Sequence, residues 1–395
     1  MSIIVQKFGG TSVATEENRK LVVEKIKAAL DEGKQPVVVV SAMGRKGSPY
    51  ATDTLLSLVD ENIKAKNPRA IDLLLSCGEI LSTVVMTNEL LKAGIEAVPL
   101  TGGEAGIKTD DNYNNAAILD VDPKEILKIL DEGKVPVVAG FQGKTEKGTT
   151  TTIGRGGSDV TGVILGAALK VPEVEIYKDV DGIMTADPRI VSEASLIENI
   201  SYDEVFQFAD QGAKVIHPRA VEISRKYNIP LVIKNTLSNC YGTTIAGYVA
   251  DNNKIITGIT HMDNRIQIKI NGNGKVSSNL IFHTLAEKSI SIDMISVFPS
   301  EKVFTIDKND LEKFNDIAKE ENITYEYIEN CSKISIIGAK MRGIPGVMSR
   351  ILKALEEGNI EILQTADSHT TIWCLVASDK VKIAINLLHR EFQLG

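Results

Sequence analysis

Two glycine-rich stretches contain the side chains of this sequence that are best suited to chemistry on phosphate. In the first, KFGGTS, Lys7 precedes two glycines at the junction between an apolar run and a helical pattern. In the second, TTTTIGRGGSDVT, Arg155 and Asp159 lie in a turn before an apolar helical segment. Helix N-termini offer unpaired N–H groups and a positive dipole end, and glycine lets an anion approach the backbone. Together the two stretches favour phosphoryl transfer.

Neither stretch decides the chemistry by itself. Lys7 precedes its glycines and no G-x-x-x-x-G-K-[ST] pattern follows, so the first stretch is not a Walker A loop. A Gly-Gly turn capped by Thr11 or Ser12 is also an ordinary junction between a strand and a helix. Arg155 offers a bidentate fork for a planar carboxylate. Asp159 could orient Lys7 or a metal ion, or it could simply cap its helix.

The elements that would position these loops alternate between β-type apolar runs and helical patterns. PVVVVSAMG at Pro36–Gly44 and VPVVAGFQG at Val135–Gly143 are short, continuous and end in glycine. Such runs are typical of strands that are buried on both faces. The alternation predicts an α/β sandwich, whose ligands should bind at the carboxyl ends of the strands. Both glycine-rich stretches then belong at that edge.

From about Thr257 the pattern changes to a repeat. LAEKSISI at Leu285–Ile292 aligns with LEEGNIEI at Leu355–Ile362, an offset of 70 residues. In both copies a strand leads through a loop and a helix to a second strand, which suggests one small regulatory module used twice. The alternative is two unrelated α+β segments that have similar turns.

Bulk composition excludes several classes of function. A chain of 395 residues predicts two or three domains. Its net charge of −8 argues against a nucleic-acid partner, which would need a basic face. We expect neither a membrane span nor a signal peptide, because no apolar run approaches about 20 residues. The cysteines match no metal-binding spacing and predict reduced thiols in a cytoplasmic protein; they are Cys77, Cys240, Cys331 and Cys374.

Five motifs resemble those of the aspartate kinases, within the amino-acid kinase family. KFGGTS, LLLSCGE, TTTTIGRGGSDVT, DVDGIMTADPR and GAKVIHP occur in that order, and the C-terminal repeat resembles the tandem ACT domains of the same family. The resemblance implies a three-layer α/β/α sandwich at residues 1–253, followed by ferredoxin-like βαββαβ ACT domains at 254–330 and 331–395. The family also allows the leading strand, 254–262, to pair with the second ACT domain.

The resemblance implies transfer of the γ-phosphoryl group of ATP to the β-carboxylate of L-aspartate, assisted by Mg²⁺. A carboxylate with a pKa of about 4 is ionised at neutral pH, so this nucleophile needs no general base. Lys7 matches the lysine that stabilises the transition state, and Asp159 matches its organiser. The residues implied in ATP binding are Lys7, Phe8, Gly9, Gly10, Lys178, Asp179, Met184, Arg189 and Lys214. Lys178 and Met184 depart from the family, since some relatives have threonine and tyrosine there.

The same resemblance assigns the aspartate-binding residues. Arg155 would pair with the α-carboxylate and Glu79 with the α-ammonium. Ser41 and Thr52 would form hydrogen bonds to the substrate, and Ser158 would lie where substrate and phosphate meet. For Glu79 the alternative is a carboxylate placed near a helix N-terminus, where the helix dipole favours it.

For regulation, the resemblance implies feedback inhibition by lysine, threonine or meso-diaminopimelate. Asp293 would bind the effector's ammonium, with the backbone of Ser291 and Ile292 beside it. ACT domains bind effectors between copies, so at least a homodimer is implied. Two alternatives remain: another amino-acid kinase, such as glutamate 5-kinase, N-acetylglutamate kinase or uridylate kinase, and a non-catalytic amino-acid sensor.

Overall fold

The computed structural model describes residues 2–212, 215–247, 254–271, 278–341 and 343–395. Its contacts divide the chain into two compact units. The first comprises Met1–Ile183, Leu196–Ala209 and Lys214–Asp251. The second comprises Met184–Ser195, Asp210–Ala213 and Asn252–Gly395.

The first unit contains two sheets and the helices that cover them. Its strands are β1 (Ile3–Phe8), β2 (Gln35–Val40), β3 (Ala97–Leu100), β4 (Ile107–Thr109), β5 (Ile118–Val121), β6 (Val135–Ala139), β7 (Gln142–Lys144), β8 (Thr150–Thr152), β9 (Val174–Lys178), β10 (Asn199–Ser201), β11 (Leu231–Asn235) and β12 (Thr243–Ala246). Its helices are α1 (Glu16–Asp31), α2 (Thr52–Leu56), α3 (Glu61–Lys66), α4 (Pro68–Lys92), α5 (Lys124–Asp131), α6 (Gly157–Leu169), α7 (Tyr202–Asp210) and α8 (Pro218–Tyr227).

The main sheet has the strand order β10-β12-β11-β9-β1-β2-β6-β3, and only the β11–β12 pair is antiparallel. Helices α1 and α4 pack on one face through Val22, Ile26, Met86 and Leu90. Helix α6 packs on the other face, where Gly162 brings its backbone against Lys7. A parallel sheet that is covered on both sides is the predicted α/β/α sandwich, and it explains why β2 and β6 are continuous apolar runs. A second sheet, β5-β4-β7-β8, completes the unit.

Helix α4 is an exception to the expectation that no apolar segment approaches the length needed to span a membrane. Its 25 residues include a stretch of mean hydropathy 1.6, long and apolar enough to cross a bilayer by length and composition alone. However, 56% of that stretch is buried within the protein. The helix also carries the buried carboxyl groups of Asp72, Glu79 and Glu89. These features are those of a core helix.

The second unit is built around one six-stranded antiparallel sheet of order β14-β15-β13-β16-β18-β17. Its strands are β13 (Gly258–Asn271), β14 (Ile292–Val297), β15 (Glu301–Asp307), β16 (Tyr325–Ile337), β17 (Gln364–Asp367) and β18 (Thr371–Ala377). Its helices are α9 (Ser278–Glu287), α10 (Leu311–Glu320), α11 (Val347–Glu357) and α12 (Val381–Glu391). The element order β13-α9-β14-β15-α10-β16 followed by α11-β17-β18-α12 shows the predicted repeat.

The long strands β13 and β16 join the two repeats. Gly258–Met262 of β13 pairs with residues 333–337 of β16, and the later part of β13 lies between β15 and β16. The start of β13 therefore serves as a strand of the second repeat. Because β13 contributes to both repeats, no turn or change in composition marks a boundary between them.

Segment Met184–Ser195 lies in the second unit although it follows β9 of the first. Ala186 and Val191 belong to the apolar core formed around β16, α11 and α12. Thr185 Oγ1 lies 2.9 Å from His389 Nε2, and burial lowers the pKa of this histidine. The segment that ends the DVDGIMTADPR motif is thus part of the second unit's core.

Candidate active site

The candidate site lies where the neighbouring parallel strands β9, β1, β2 and β6 end. Lys7 and Phe8 close β1, Ser41 follows β2, and Lys178 closes β9. Helix α6 begins at the same edge with Gly157. The two glycine-rich stretches therefore meet, as the sequence predicted.

A buried carboxylate joins the two stretches. Lys7 Nζ lies 2.5 Å from Asp159 Oδ1, and Lys178 Nζ lies 2.9 Å from Asp159 Oδ2. Asp159 is in the first turn of α6, where the positive end of the helix dipole also favours its charge. Two ammonium groups and one carboxylate leave one positive charge uncompensated. This excess charge suits an anionic ligand.

Burial and charge oppose each other in this cluster. Burial lowers the pKa of Lys7, and the carboxylate of Asp159 counteracts that effect. Burial alone raises the pKa of Asp159, but the ammonium groups of Lys178 and Lys7 outweigh it and hold that pKa well below its ordinary value. Asp159 therefore remains ionised at neutral pH and fixes the position of both lysines.

Glu79 lies well inside α4, so the alternative of a carboxylate near a helix N-terminus does not apply. Its Oε1 accepts a hydrogen bond from the backbone N–H of Ala42 at 3.2 Å. Its Oε2 is buried and has no hydrogen-bond partner among the described residues. Burial raises the pKa of Glu79 to about 8. A buried carboxyl oxygen without a partner is rare in folded proteins and calls for a ligand that donates hydrogen bonds.

Hydroxyl groups connect the edges of the site. Ser41 Oγ donates a hydrogen bond to Ser158 Oγ at 2.8 Å, which links the end of β2 to the start of α6. Gly140, after β6, allows this approach, because a Cβ there would lie 2.7 Å from Ser158 Cβ. Thr52 is the first residue of α2, and no hydrogen bond joins it to the other candidate residues within the described chain.

Arg155 is exposed in the turn before α6. Across the described residues, no hydrogen bond or ion pair engages its guanidinium group. The next residue, Gly156, has a φ of 70°, and a Cβ there would lie 2.3 Å from the His217 ring, so only glycine fits. His217 itself caps α8 by accepting from the N–H of Arg219, which is a structural role.

The other residues predicted to bind the nucleotide lie in different parts of the structure. Lys178 and Asp179 lie at the strand edge. The side chain of Phe8 is buried and stacked on Tyr177 at 4.7 Å, and its carbonyl accepts from Ser41 N at 3.2 Å. Met184 and Arg189 belong to the second unit. The guanidinium group of Arg189 pairs with Asp187 at 2.7 Å. Lys214 lies outside the described residues.

Sequence reasoning missed two contacts at this edge. Arg45, in the SAMGRKG turn after β2, forms an ion pair with Asp179. Asp72 accepts from Thr152 N at 2.8 Å and from Thr152 Oγ1 at 2.6 Å, which anchors the strand before Arg155 to α4. The paired basic residues of GRKG were a signal for the first contact. No local pattern marked the second.

Two known family models match parts of the chain. The family model described as the amino acid kinase family matches residues 2–235, and an ACT domain model matches residues 326–390. Aspartokinase 1 of Bacillus subtilis (strain 168) is 46% identical, with 100% of both chains covered. The aspartokinase of Geobacillus stearothermophilus is 38% identical over 100% of this chain and 98% of its own.

Solved structures agree on the fold. Escherichia coli aspartokinase III with lysine and aspartate (T-state) superposes with a TM-score of 0.82 at 24% identity, covering 99% of this chain and 100% of that one. The same enzyme with aspartate and ADP (R-state) gives a TM-score of 0.76 at 24% identity, covering 98% and 99%. The family match covers more than half of the chain, and both of these full-length relatives are named as aspartokinases. The chain therefore belongs to the aspartokinases of the amino acid kinase family.

Proposed function

We propose that the cluster of Lys7, Asp159 and Lys178 carries out the aspartokinase reaction, transfer of the γ-phosphoryl group of ATP to the β-carboxylate of L-aspartate. The observation that carries this assignment is the single carboxylate shared by two ammonium groups. The two relatives reported above match over almost their whole length and are named as aspartokinases. This match disfavours glutamate 5-kinase, N-acetylglutamate kinase and uridylate kinase. A non-catalytic sensor is disfavoured because Lys7 and Asp159 are both present and paired.

In this mechanism the substrate supplies the nucleophile. A β-carboxylate oxygen attacks the γ-phosphorus, the bond to the bridging oxygen breaks, and ADP leaves with that electron pair. Since the carboxylate is already ionised, no proton has to be removed. What the protein must supply is alignment of two anions and a fixed positive charge for the phosphoryl oxygens. Lys7 would supply that charge, and the N–H group of Gly10 would contact the phosphates. The N–H group of Gly9, also predicted to do so, already donates to Tyr177 O at 3.0 Å.

Mg²⁺ neutralises phosphate charge in reactions of this class. The described residues contain no group of three or more His, Cys, Asp or Glu side chains that could hold a metal ion. Asp159 is buried and bound by two lysines, whereas Asp179 pairs with the exposed Arg45 and has a side chain that is 37% exposed. This sparse donor set fits a Mg²⁺ ion carried by the nucleotide phosphates, with Asp179 as a protein carboxylate within its reach.

Glu79 and Arg155 would recognise the two α-substituents of aspartate. The unpartnered Oε2 of Glu79 would accept from the α-ammonium, and the free guanidinium group of Arg155 would bind the α-carboxylate. Ser41, Thr52 and Ser158 would complete the hydrogen bonds. The structure of a distant relative that contains aspartate and ADP supports a site for both in this fold.

Activity is expected with ATP and L-aspartate, and the acyl phosphate should be trapped by hydroxylamine as the hydroxamate. L-Glutamate, N-acetyl-L-glutamate and UMP should give no product. EDTA should abolish turnover and excess Mg²⁺ should restore it, because the phosphate charge is otherwise unscreened. Faster turnover with any of the three other acceptors would overturn the assignment of substrate.

Arg155→Ala is expected to raise the KM for aspartate by roughly 10-fold to 100-fold, because a hydrogen bond to a charged group contributes about 1.5–3 kcal/mol. Arg155→Lys should recover part of the affinity, since it keeps the charge but loses the fork. Steady-state kinetics at saturating ATP measures the change. Arg225→Ala, which removes an exposed arginine paired with Asp203, is the matched control. A KM for aspartate unchanged in Arg155→Ala would exclude this contact.

For regulation we propose an amino-acid effector, lysine, threonine or meso-diaminopimelate, that binds Asp293 and the backbone of Ser291 and Ile292. The lysine-bound structure of the distant Escherichia coli relative supports the first of these. We also propose pairing of chains through the ACT domains, with domain boundaries at residues 253 and 330. A cytoplasmic location remains our prediction.

A further inference from the structure

The carboxylate proposed to bind the effector already has a cationic partner in the same unit. Lys333 Nζ forms an ion pair with Asp293 Oδ2. Asp293 lies on β14 of the first repeat, and Lys333 lies on β16, in the part that pairs with β18 of the second repeat. The lysine side chain is 2% exposed and the aspartate side chain is 41% exposed. Solvent therefore reaches the carboxylate but hardly reaches the ammonium group.

The backbone next to Asp293 contains an irregularity that sets the direction of its side chain. The register between β14 and β15 shifts between Asp293 and Ser296, which marks a β-bulge. Met294 has a φ of 48°, and its N–H donates to Asp293 Oδ1 at 2.8 Å. Gln364, on β17, donates to Met294 O and to Ser296 Oγ. Bulges re-aim side chains next to functional sites, and here the second repeat holds the bulge in place.

Besides Asp293, the Lys333 ammonium group has few polar neighbours in the described residues. Its ammonium group lies 5.8 Å from the centre of the Trp373 ring. Met294, Cys331 and Leu375 form a small apolar cluster in this region. In the part of the chain that the structure describes, Asp293 is its one carboxylate partner. A buried ammonium group needs such a partner, so Lys333 and Asp293 are bound tightly to each other.

We propose that the Lys333 ammonium group occupies the position on Asp293 that an effector's ammonium group needs, and so sets the effector concentration at which inhibition begins. This inference rests on the proposed role of Asp293. One oxygen of the carboxylate accepts from Met294 N and the other is paired with Lys333. An entering ammonium group must share this carboxylate with a like charge, which weakens binding. Removing the positive charge of Lys333 removes that competition.

The test is inhibition of the full-length enzyme by lysine, threonine and meso-diaminopimelate, each titrated separately. In Lys333→Met the inhibition midpoint for the active effector should fall at least about tenfold, because the variant no longer places a like charge beside the entering ammonium group. Methionine is uncharged, of similar length and suited to the apolar neighbours. Turnover without effector should stay within about twofold of the parent. A midpoint that is unchanged or higher would overturn the proposal.

Three further variants separate this inference from the proposed effector site. Lys333→Gln is a second neutral variant with the same expected result, and it decides the matter if the methionine variant does not fold. Lys269→Met removes an exposed lysine paired with Glu301 on the same sheet and should change nothing. Asp293→Asn should abolish inhibition. Inhibition that survives in Asp293→Asn, or a parent that binds none of the three amino acids by calorimetry, would remove the effector site and this inference with it.

Discussion

Lys7→Ala is expected to lower kcat at least about 10²-fold, with a much smaller change in the KM for aspartate. The ammonium group is buried and fixed by Asp159, so it requires no reorganisation when charge builds up on the phosphoryl oxygens. Removing one such preorganised charge typically costs 10²- to 10³-fold in rate. Hydroxamate formation at saturating ATP and aspartate measures the change.

The structure also predicts that this variant folds. Asp159 keeps Lys178 as a partner at 2.9 Å, so its buried charge is not left alone. Removing both lysines is different, because an unpaired buried charge costs roughly 3–5 kcal/mol. The double variant should therefore unfold at clearly lower denaturant concentration than either single variant. Lys20→Ala, an exposed lysine paired with Glu16, is the control for loss of a surface charge. If Lys7→Ala is well folded and turns over within a few-fold of the parent, Lys7 is not the catalytic cation.

Local sequence patterns predicted the loops and the strand ends on which the site is built. Lys7 lies at the end of a buried strand and Asp159 lies in the first turn of a helix, and the carboxyl ends of parallel strands meet at one edge. Their contact at 2.5 Å follows from that rule. The repeat in the C-terminal third was visible for a similar reason, because each copy uses the same helix end and strand.

Contacts between residues distant in sequence were not predictable. Lys178 was assigned to the nucleotide alone, yet its ammonium group also binds Asp159. The pairs Arg45–Asp179 and Lys333–Asp293 join elements with no shared motif. Composition does not mark segment Met184–Ser195 either, because its apolar residues would suit the core of either unit. These features depend on packing, which a single sequence does not specify.

Glu79→Gln is expected to stabilise the ligand-free protein increasingly as the pH rises from about 5 to 9. Burial raises the pKa of Glu79 to about 8 from an ordinary value of 4.5. Between these values the folded protein holds a proton that the unfolded chain has released, so the parent loses stability as the pH rises, by about 1.4 kcal/mol per unit. Glutamine does not ionise, so the Glu79→Gln variant does not lose stability in this way as the pH rises. The difference in unfolding free energy should be near zero at pH 4.5 and reach several kcal/mol above pH 8.

Urea unfolding of parent and variant at several pH values measures this difference. Glu24→Gln, at an exposed position of α1, controls for loss of a carboxyl group as such. A difference that stays constant from pH 5 to pH 9 would show that Glu79 is ionised in the folded protein. The prediction that Glu79 holds a proton in the ligand-free protein would then be wrong.

The same substitution should weaken aspartate binding. A variant that gains stability but loses affinity for aspartate would identify Glu79 as a functional group. An α-ammonium group beside Oε2 would favour the ionised carboxyl, so below pH 8 aspartate has to displace a proton from Glu79 before the ion pair forms. The parent's affinity for aspartate should therefore rise with pH up to about 8. In Glu79→Gln that rise should disappear and the KM should increase roughly 10-fold to 100-fold, since a charged hydrogen bond contributes about 1.5–3 kcal/mol. A variant that is more stable at pH 8 and still binds aspartate as the parent does would show a buried carboxyl group without a role in recognition.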